Sequence, residues 1–143
     1  MEIERKFLIS EVPSNLEDYE MIPMIQGYLN RGPVVRVRKE GEKYFLTYKG
    51  GGMMARTEYN LPLDEASFEN LIKKADGNII TKNRYLIPFG KYTIELDHFE
   101  NPNAGLWLAE VEFESIAEAE AFEAPSWFGE DVTYDKKYHN SNM

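Results

Sequence analysis

The feature that most constrains the fold is an alternation of apolar and charged side chains that recurs along most of the chain. In Val35-Arg36-Val37-Arg38 the valines and arginines take alternate positions, and Ile94-Glu95-Leu96-Asp97 repeats the pattern with carboxylates. Successive side chains of a β-strand point to opposite faces of a sheet. The alternation therefore predicts strands that each carry one apolar face and one charged face.

Turn residues divide this pattern into segments of strand length, as at Gly50-Gly51-Gly52. We predict eight strands, near residues 2–9, 24–31, 33–40, 43–50, 54–62, 81–88, 91–99 and 106–114. Eight strands joined mainly by short hairpins indicate a closed antiparallel barrel, because closure removes unpaired edges. One helix is predicted after a cap at Asp64 or Ser67, with weaker helical segments at 116–122 and 135–143. The predicted class is mainly β (α+β), with a few helices flanking the barrel.

Composition narrows the classes of protein that remain. A chain of 143 residues with 43% hydrophobic content predicts a single folded domain, 1–143. The sequence has no cysteine, which excludes disulfides and thiolate metal sites, and its net charge of −9 argues against nucleic-acid binding. No segment reaches the roughly 20 apolar residues of a membrane span. The N-terminus is too charged for a secretory signal, so we expect a cytoplasmic protein with no membrane partner.

The charged strand faces could point into water or into the barrel. An ordinary eight-stranded barrel has an apolar interior, as in a lipid-binding cup. Here, however, the third, fourth and sixth strands are basic and the seventh and eighth are acidic, whereas a solubilising surface mixes the signs. The acidic strands also place like charges opposite each other, which is destabilising without a counter-ion. The residues alone leave both arrangements open.

The N-terminal segment indicates what a charged interior could bind. On a strand, Glu2, Glu4 and Lys6 would share one face, with neighbouring carboxylates about 7 Å apart. A divalent cation would relieve their repulsion, and the adjacent lysine suits an anion held by that cation. The alternative is a solvated edge strand with its charges in water.

Taken together, these motifs resemble the CYTH, or triphosphate tunnel metalloenzyme, superfamily, whose defining opening is Glu-x-Glu-x-Lys. The matching motifs follow in order: Glu2-x-Glu4-x-Lys6, Gln26-Gly27-Tyr28-Leu29, Arg36-x-Arg38, Leu46-Thr47-Tyr48-Lys49-Gly50, Arg56-Thr57-Glu58-Tyr59, Lys82-x-Arg84-Tyr85, Glu95-x-Asp97, Glu110-x-Glu112 and Asp135-x-x-Tyr138-x-Asn140. Members of this family form a closed eight-stranded tunnel with a charged interior. The resemblance therefore implies that the charges point inward and that residues 135–143 pack at one end of the tunnel.

The resemblance also implies a set of site residues. The expected substrate-binding residues are basic: Lys6, Arg36, Arg38, Lys49, Arg56, Lys82 and Arg84. The expected metal ligands are acidic: Glu2, Glu4, Glu95, Asp97, Glu110 and Glu112. These charges nearly cancel, so two Mg²⁺ or Mn²⁺ ions would be needed to balance a triphosphate. Glu2, Glu4 and Glu112 would hold one ion, and Asp97 and Glu110, with Glu95, the other.

Lys82 is our candidate catalytic residue, which would orient the attacking water, and Lys136 and Lys137 are its rivals. The two histidines, His98 and His139, are interpreted as surface residues.

The expected function is metal-dependent hydrolysis of the terminal phosphoanhydride of a linear triphosphate, with inorganic tripolyphosphate as the leading substrate. The alternatives are a class IV-type adenylate cyclase and a non-catalytic module that binds polyphosphate or an organic phosphate. A lipocalin-like carrier would need an apolar interior. We expect a small anionic substrate as the only ligand besides the metal, no nucleic acid, and a monomer or homodimer.

Overall fold

The computed structural model describes residues 1–143, apart from the side chain of Ser141. The strands are β1 (Glu2–Ile9), β2 (Glu20–Arg31), β3 (Val34–Glu40), β4 (Lys43–Lys49), β5 (Ala55–Arg56), β6 (Glu58–Leu63), β7 (Ile80–Phe89), β8 (Tyr92–Asn101), β9 (Trp107–Glu112) and β10 (Phe128–Asp131). The helices are α1 (Glu65–Ile72) and α2 (Ile116–Ala121), and short 3₁₀ turns cover Leu16–Asp18, Lys136–Tyr138 and Asn140–Asn142. The predicted helix 135–143 is thus present only as two single turns.

All strand pairings are antiparallel, and together they form a nearly closed barrel. The order of hydrogen-bonded neighbours is β10-β1-β9-β8-β7-β2-β3-β4-β6, and β5 pairs with β1. The predicted strand 54–62 is divided at Thr57 into β5 and β6. Arg56 pairs with Glu2 of β1, whereas Glu58 pairs with Lys49 of β4. This single segment therefore joins the two ends of the sheet, which is why it does not remain one regular strand.

The apolar strand faces point outward, where other parts of the chain cover them. Phe7, Leu96 and Val111 belong to a buried cluster that also includes Ala119 of α2. On the other side, α1 is capped by Asp64, whose side chain accepts a hydrogen bond from the backbone N–H of Ser67 at 2.7 Å. Among the described residues, no helix has the length and hydrophobicity that a membrane crossing requires.

Helix α1 approaches β2 closely at Gly27. A Cβ atom at this position would lie 2.8 Å from the Cβ of Ala75 and 2.8 Å from the Cδ1 of Ile72. Only glycine leaves room for this contact, which fixes the outer face of β2. The neighbouring side chains, Gln26 and Tyr28, consequently point into the barrel.

A second apolar cluster closes one end of the barrel, and we call it the plug. It consists of Tyr28, Val34, Ile80, Phe99, Leu108 and Val132. Five of these residues lie on strands, and each is two positions from a polar or charged residue whose side chain points inward. Tyr138 and Met143 of the C-terminal segment pack against the plug. The barrel is therefore a charged cavity that is closed at this end, and the expectation that residues 135–143 pack at one end of the tunnel is confirmed.

Candidate active site

The barrel encloses a cavity of about 240 Å³. Its lining comprises Glu2, Glu4, Lys6, Gln26, Tyr28, Val34, Arg36, Arg38, Glu40, Lys49, Arg56, Glu58, Asn60, Lys82, Arg84, Glu95, Glu110, Glu112, His139 and Asn140. Seven of these side chains are basic and seven are carboxylic acids. Charged side chains are rarely buried unless they are paired or bind a ligand. Such a lining therefore marks a site for a charged ligand.

Four carboxylates on β1 and β9 form what we call the acidic wall: Glu2, Glu4, Glu110 and Glu112. The strand register places Glu4 directly opposite Glu112 and Lys6 opposite Glu110. Lys6 Nζ lies 3.3 Å from Glu110 Oε1, and Lys49 Nζ lies 2.9 Å from Glu2 Oε1. Arg56 lies 3.6 Å from Glu2 and Arg84 lies 3.7 Å from Glu110, whereas no ion pair involves Glu4 or Glu112 among the described residues. The cations are thus unevenly distributed over the four carboxylates.

The pKa values of the acidic wall reflect this imbalance. Burial, together with the charges of Glu110 and Glu2, raises the pKa of Glu4 to about 8. Glu112 is exposed at the rim, but partial desolvation and the nearby carboxylates Glu95 and Glu2 raise its pKa to about 7. Burial acts in the same direction on Glu110, yet Lys6 and Arg84 outweigh it and hold the pKa well below the ordinary value. The wall therefore carries more carboxyl groups than can all be ionised comfortably without an added cation.

Three carboxylates at the open end, which we call the mouth, could hold a metal ion. One oxygen from each of Glu2, Glu58 and Glu112 lies within 4.8 Å of the others. Carboxylate oxygens are ligands suited to hard divalent ions such as Mg²⁺. The donor set and the surplus negative charge therefore fit the metal that the resemblance implies. Glu58 was not among the predicted ligands, although it shares a strand face with Arg56 in the alternation.

Asp97 lies beneath the cavity and does not line it. It is fully buried, and its oxygens lie 2.7 Å from Lys82 Nζ and 2.7 Å from Arg84 Nε. Arg84 also reaches Glu95 with a contact of 3.0 Å. Burial lowers the pKa of Lys82 to about 8 despite the charge of Asp97. In this arrangement Asp97 fixes two basic side chains, and it stands apart from the carboxylates of the acidic wall.

On β2 and β3 three residues form what we call the donor wall: Gln26, Arg36 and Arg38. The Nε atoms of Arg36 and Arg38 and both amide atoms of Gln26 are buried without a hydrogen-bond partner among the described residues. Arg38 makes an ion pair of 3.4 Å with Glu40, and no ion pair involves Arg36 within the described part of the chain. Since buried polar groups are normally satisfied, the donor wall has spare capacity for a ligand.

The two walls face each other across the cavity. If β5 and β6 are counted as one position, the strand order places β2 four strands from β1 in either direction around the barrel. A ligand between the walls would therefore contact carboxylates on one side and unpaired N–H donors on the other. An anion with a bound cation matches both surfaces.

Most of the predicted site residues lie in this cavity, and all of them except Asp97 line it. Lys136 and Lys137 are exposed and lie outside the lining. The sequence analysis missed Gln26, Tyr28, Val34, Glu40, Glu58, Asn60, His139 and Asn140. Period two provides a signal for Val34, Glu40, Glu58 and Asn60, because each lies an even number of positions from a predicted residue in the same predicted strand. It provides none for Gln26 and Tyr28, because β2 carries no predicted site residue.

The C-terminal segment contributes the two remaining missed residues, for which the alternation gives no signal. Lys6 Nζ donates a hydrogen bond of 3.0 Å to the backbone carbonyl of Tyr138. The Nε2 of His139 lies 3.0 Å from the carbonyl oxygen of Thr133, and Asn140 Oδ1 is buried without a hydrogen-bond partner in the part of the chain that the structure describes. His139 is thus half-buried and lines the cavity. His98 lies outside the lining, where it stacks on Trp107 with ring centroids 4.0 Å apart.

The fold and this cavity define an antiparallel β-barrel with a charged interior. The CYTH domain family matches residues 1–142, and the chain belongs to this family. It is 41% identical over 147 residues to an inorganic triphosphatase of Nitrosomonas europaea, which covers 99% of this chain and 95% of that protein. An inorganic triphosphatase of Acetivibrio thermocellus is 36% identical over 148 residues, covering 99% and 92%. The crystal structure of the inorganic triphosphatase NE1496 superposes with a TM-score of 0.72, at 38% identity over 99% of this chain and 93% of that one.

Proposed function

We propose that this protein is a divalent-metal-dependent inorganic triphosphatase that hydrolyses the terminal phosphoanhydride of tripolyphosphate. Two relatives at 41% and 36% identity over nearly the full chain carry the name inorganic triphosphatase. The observation that carries the proposal is the cavity with an acidic wall facing a donor wall. An extended anion with bound cations is the ligand that complements both.

The donor wall would bind the phosphate oxygens. A guanidinium presents several N–H donors in a fixed fork that matches phosphate, whereas an ammonium acts as a point charge. Arg36 and Arg38 retain unpartnered donors, so they can bind without first breaking a strong ion pair. Positioning of this kind accounts for most of the catalysis of phosphoryl transfer.

The acidic wall would hold the metal. Glu2, Glu58 and Glu112 are the proposed ligands of a first ion, and Glu4 and Glu110 are available for a second. When bound, Mg²⁺ or Mn²⁺ neutralises phosphate charge and polarises the bond that is cleaved. Asp97, which we predicted as a ligand, has its oxygens beside Lys82 and Arg84, and we propose that its role is to position them.

Lys82 is the proposed catalytic residue. It lines the cavity at 2% exposure, and the contact with Asp97 fixes its ammonium group. With a pKa of about 8, it can donate a hydrogen bond to an attacking water and also exchange a proton near neutral pH. Its rivals Lys136 and Lys137 lie outside the lining and could act only after a movement of the C-terminal segment.

A substrate screen tests the proposal. Purified protein is assayed with tripolyphosphate, pyrophosphate, ATP and thiamine triphosphate, each with Mg²⁺, with Mn²⁺ and with excess chelator. We expect phosphate release from tripolyphosphate with kcat/KM at least about tenfold above that for ATP, and no turnover in chelator. Cyclic AMP among the products of ATP would instead establish a cyclase. Tight binding without turnover in any metal would establish a binding module.

A cytoplasmic location and a monomeric or homodimeric state stay predictions. Fractionation and the mass of the native protein in solution would test them.

A further inference from the structure

We propose that Gln26 determines chain-length selectivity, by donating a hydrogen bond to the innermost phosphoryl group of an extended substrate. This inference rests on the proposed function and names a residue that decides which anion the cavity accepts. Gln26 is the only glutamine in the chain. Its amide carries no charge, in a cavity whose other strand residues are mostly ionised.

The first observation is that the Gln26 amide is buried and unsatisfied. The residue is 1% exposed, and neither Nε2 nor Oε1 has a hydrogen-bond partner among the described residues. An unmade hydrogen bond in a buried position costs about 1–3 kcal/mol. A leucine or methionine would fill the same place in the barrel without this cost. A ligand that accepts from the amide nitrogen accounts for the polar residue.

The second observation is the position of Gln26 along the cavity. Tyr28, two positions further along β2, belongs to the plug. Gln26 itself lies opposite Ile80 of β7, which is also a plug residue. In contrast, the carboxylates of Glu2, Glu58 and Glu112 lie toward the mouth, where Glu112 is exposed. Gln26 therefore marks the inner end of the cavity, and the carboxylate cluster marks the outer end.

The third observation concerns Arg38, which pairs with Gln26 across β2 and β3. Arg38 Nε is also buried, and it has no hydrogen-bond partner among the residues that the structure describes. If the Gln26 carbonyl accepts from this guanidinium, the amide nitrogen is turned toward the cavity and can donate to a phosphate oxygen. The pair would thus be complete only when an anion reaches the inner end.

Selectivity for the chain length of the substrate follows from this geometry. Tripolyphosphate is one phosphoryl group longer than pyrophosphate, so it can contact a metal at the mouth and Gln26 beside the plug together. Pyrophosphate can make only one of the two contacts well. A neutral donor suits this discrimination, because it forms a hydrogen bond with a correctly placed oxygen but does not attract every anion that enters.

The test compares Gln26→Met with the wild type, and it measures binding separately from turnover. In the presence of Mg²⁺, steady-state assays give KM and kcat/KM for tripolyphosphate, and inhibition of the same reaction by pyrophosphate gives the Kd of pyrophosphate. We expect Gln26→Met to weaken tripolyphosphate on both measures by about tenfold, which corresponds to about 1.4 kcal/mol. Pyrophosphate should change less than twofold. The Tm of the ligand-free variant should be unchanged or higher, because an unsatisfied amide has been removed.

Two further variants keep the result decisive. Gln26→Glu has nearly the same shape but loses the donor and gains a negative charge. Its affinity for tripolyphosphate should therefore fall at least as much as that of Gln26→Met. Asn83→Ala removes an amide from the outer face of β7, where Asn83 donates to Glu100 at 2.8 Å, and should leave both anions unaffected. Equal losses for the two anions, or unchanged selectivity in Gln26→Met and Gln26→Glu, would overturn the inference. If the wild type neither binds nor hydrolyses tripolyphosphate, the proposed function fails as well.

Discussion

The acidic wall and the donor wall are built from the same kind of alternating strand, yet their charges are balanced differently. On the acidic wall Glu110 and Glu2 each have a lysine within 3.3 Å. On the donor wall Arg36 has no ion pair within the described residues, and Nε atoms and an amide are unsatisfied. The acidic wall is therefore partly neutralised by lysines before a ligand arrives. On the donor wall only Arg38 has an ion pair, with Glu40, and N–H donors have no partner among the described residues.

This difference separates two tasks. Unpaired donors can contact an anion immediately, so the donor wall should govern affinity. The acidic wall has to exchange a proton or a lysine contact for a cation, so it should govern metal binding and through it the rate. The following predictions test this division, from the largest expected effect to the smallest.

The largest effect is expected on the acidic wall. Glu4→Gln keeps the shape of the side chain but removes a carboxylate from the proposed metal site. We expect kcat to fall by at least about a hundredfold, equivalent to roughly 2.7 kcal/mol of transition-state stabilisation, while the fold persists. Steady-state assays with Mg²⁺ and circular dichroism measure the two quantities. Glu114→Gln is the matched control, because Glu114 follows β9 but lies outside the lining. A rate close to wild type in Glu4→Gln would contradict the role given to this wall.

Much of the acidic wall could be predicted from the sequence. Glu2, Glu4, Glu110 and Glu112 share inward faces because strand periodicity is strict, and a shift by one residue would turn the apolar set into the cavity. Asp97 obeys the same periodicity but lies where Lys82 and Arg84 enclose it. Depth along the barrel axis depends on strand register and shear, which the alternation does not encode.

The second effect concerns Lys82 on β7, which is one of the strands between the two walls. Lys82→Met keeps most of the apolar stem, and Arg84 remains to pair with Asp97, so the fold should persist. We expect kcat to fall by about thirtyfold with little change in KM, because the residue orients water and binds substrate only weakly. Lys137→Ala, the exposed rival, should retain the wild-type rate. A change confined to KM in Lys82→Met would move the catalytic role to another residue.

The third effect is expected on the donor wall. Arg36→Lys keeps the positive charge but loses the fork of N–H donors, so KM for tripolyphosphate should rise by about tenfold with a smaller change in kcat. Lys39→Ala removes a basic residue from the outer face of β3 and serves as the control. Substrate titrations measure both constants. If Arg36→Lys lowered kcat alone, the donor wall would not govern substrate affinity, and the proposed division between the two walls would be wrong.

The donor wall also shows what sequence reasoning leaves out. Arg36 and Arg38 were predicted as a pair, but nothing in the alternation distinguishes an arginine with an ion pair from one without. The Gln26 amide was missed because a neutral side chain does not stand out on a charged face. The plug was missed because its members read as ordinary apolar residues, and its closure depends on Tyr138 and Met143, which are distant in sequence.

The smallest effect is thermodynamic, and it concerns the ligand-free protein in chelator. The pKa of Glu4 is raised from 4.5 to about 8. Between these values the folded state binds more protons than the unfolded state, so stability falls as pH rises toward 8. Glu4→Gln cannot ionise and should escape this loss. A pKa difference of one unit corresponds to about 1.4 kcal/mol. Relative to the wild type, the free energy of unfolding of Glu4→Gln should therefore be higher at pH 8 than at pH 5, by at least about 1 kcal/mol.

Urea unfolding at several pH values measures this difference. The pH dependence that Glu4 gives to stability is opposite in sign to that of Lys82. The pKa of Lys82 is lowered from 10.5 to about 8, so its contribution to stability rises with pH above 8. The advantage of Glu4→Gln should therefore grow from pH 5 to pH 8 and then level off, while the Lys82 contribution appears only at higher pH. Added Mg²⁺ should stabilise the wild type more than Glu4→Gln, since binding to the folded state alone raises stability. An advantage that was constant across pH, or that persisted unchanged in Mg²⁺, would mean that Glu4 is not under the strain that makes the acidic wall receptive to a cation.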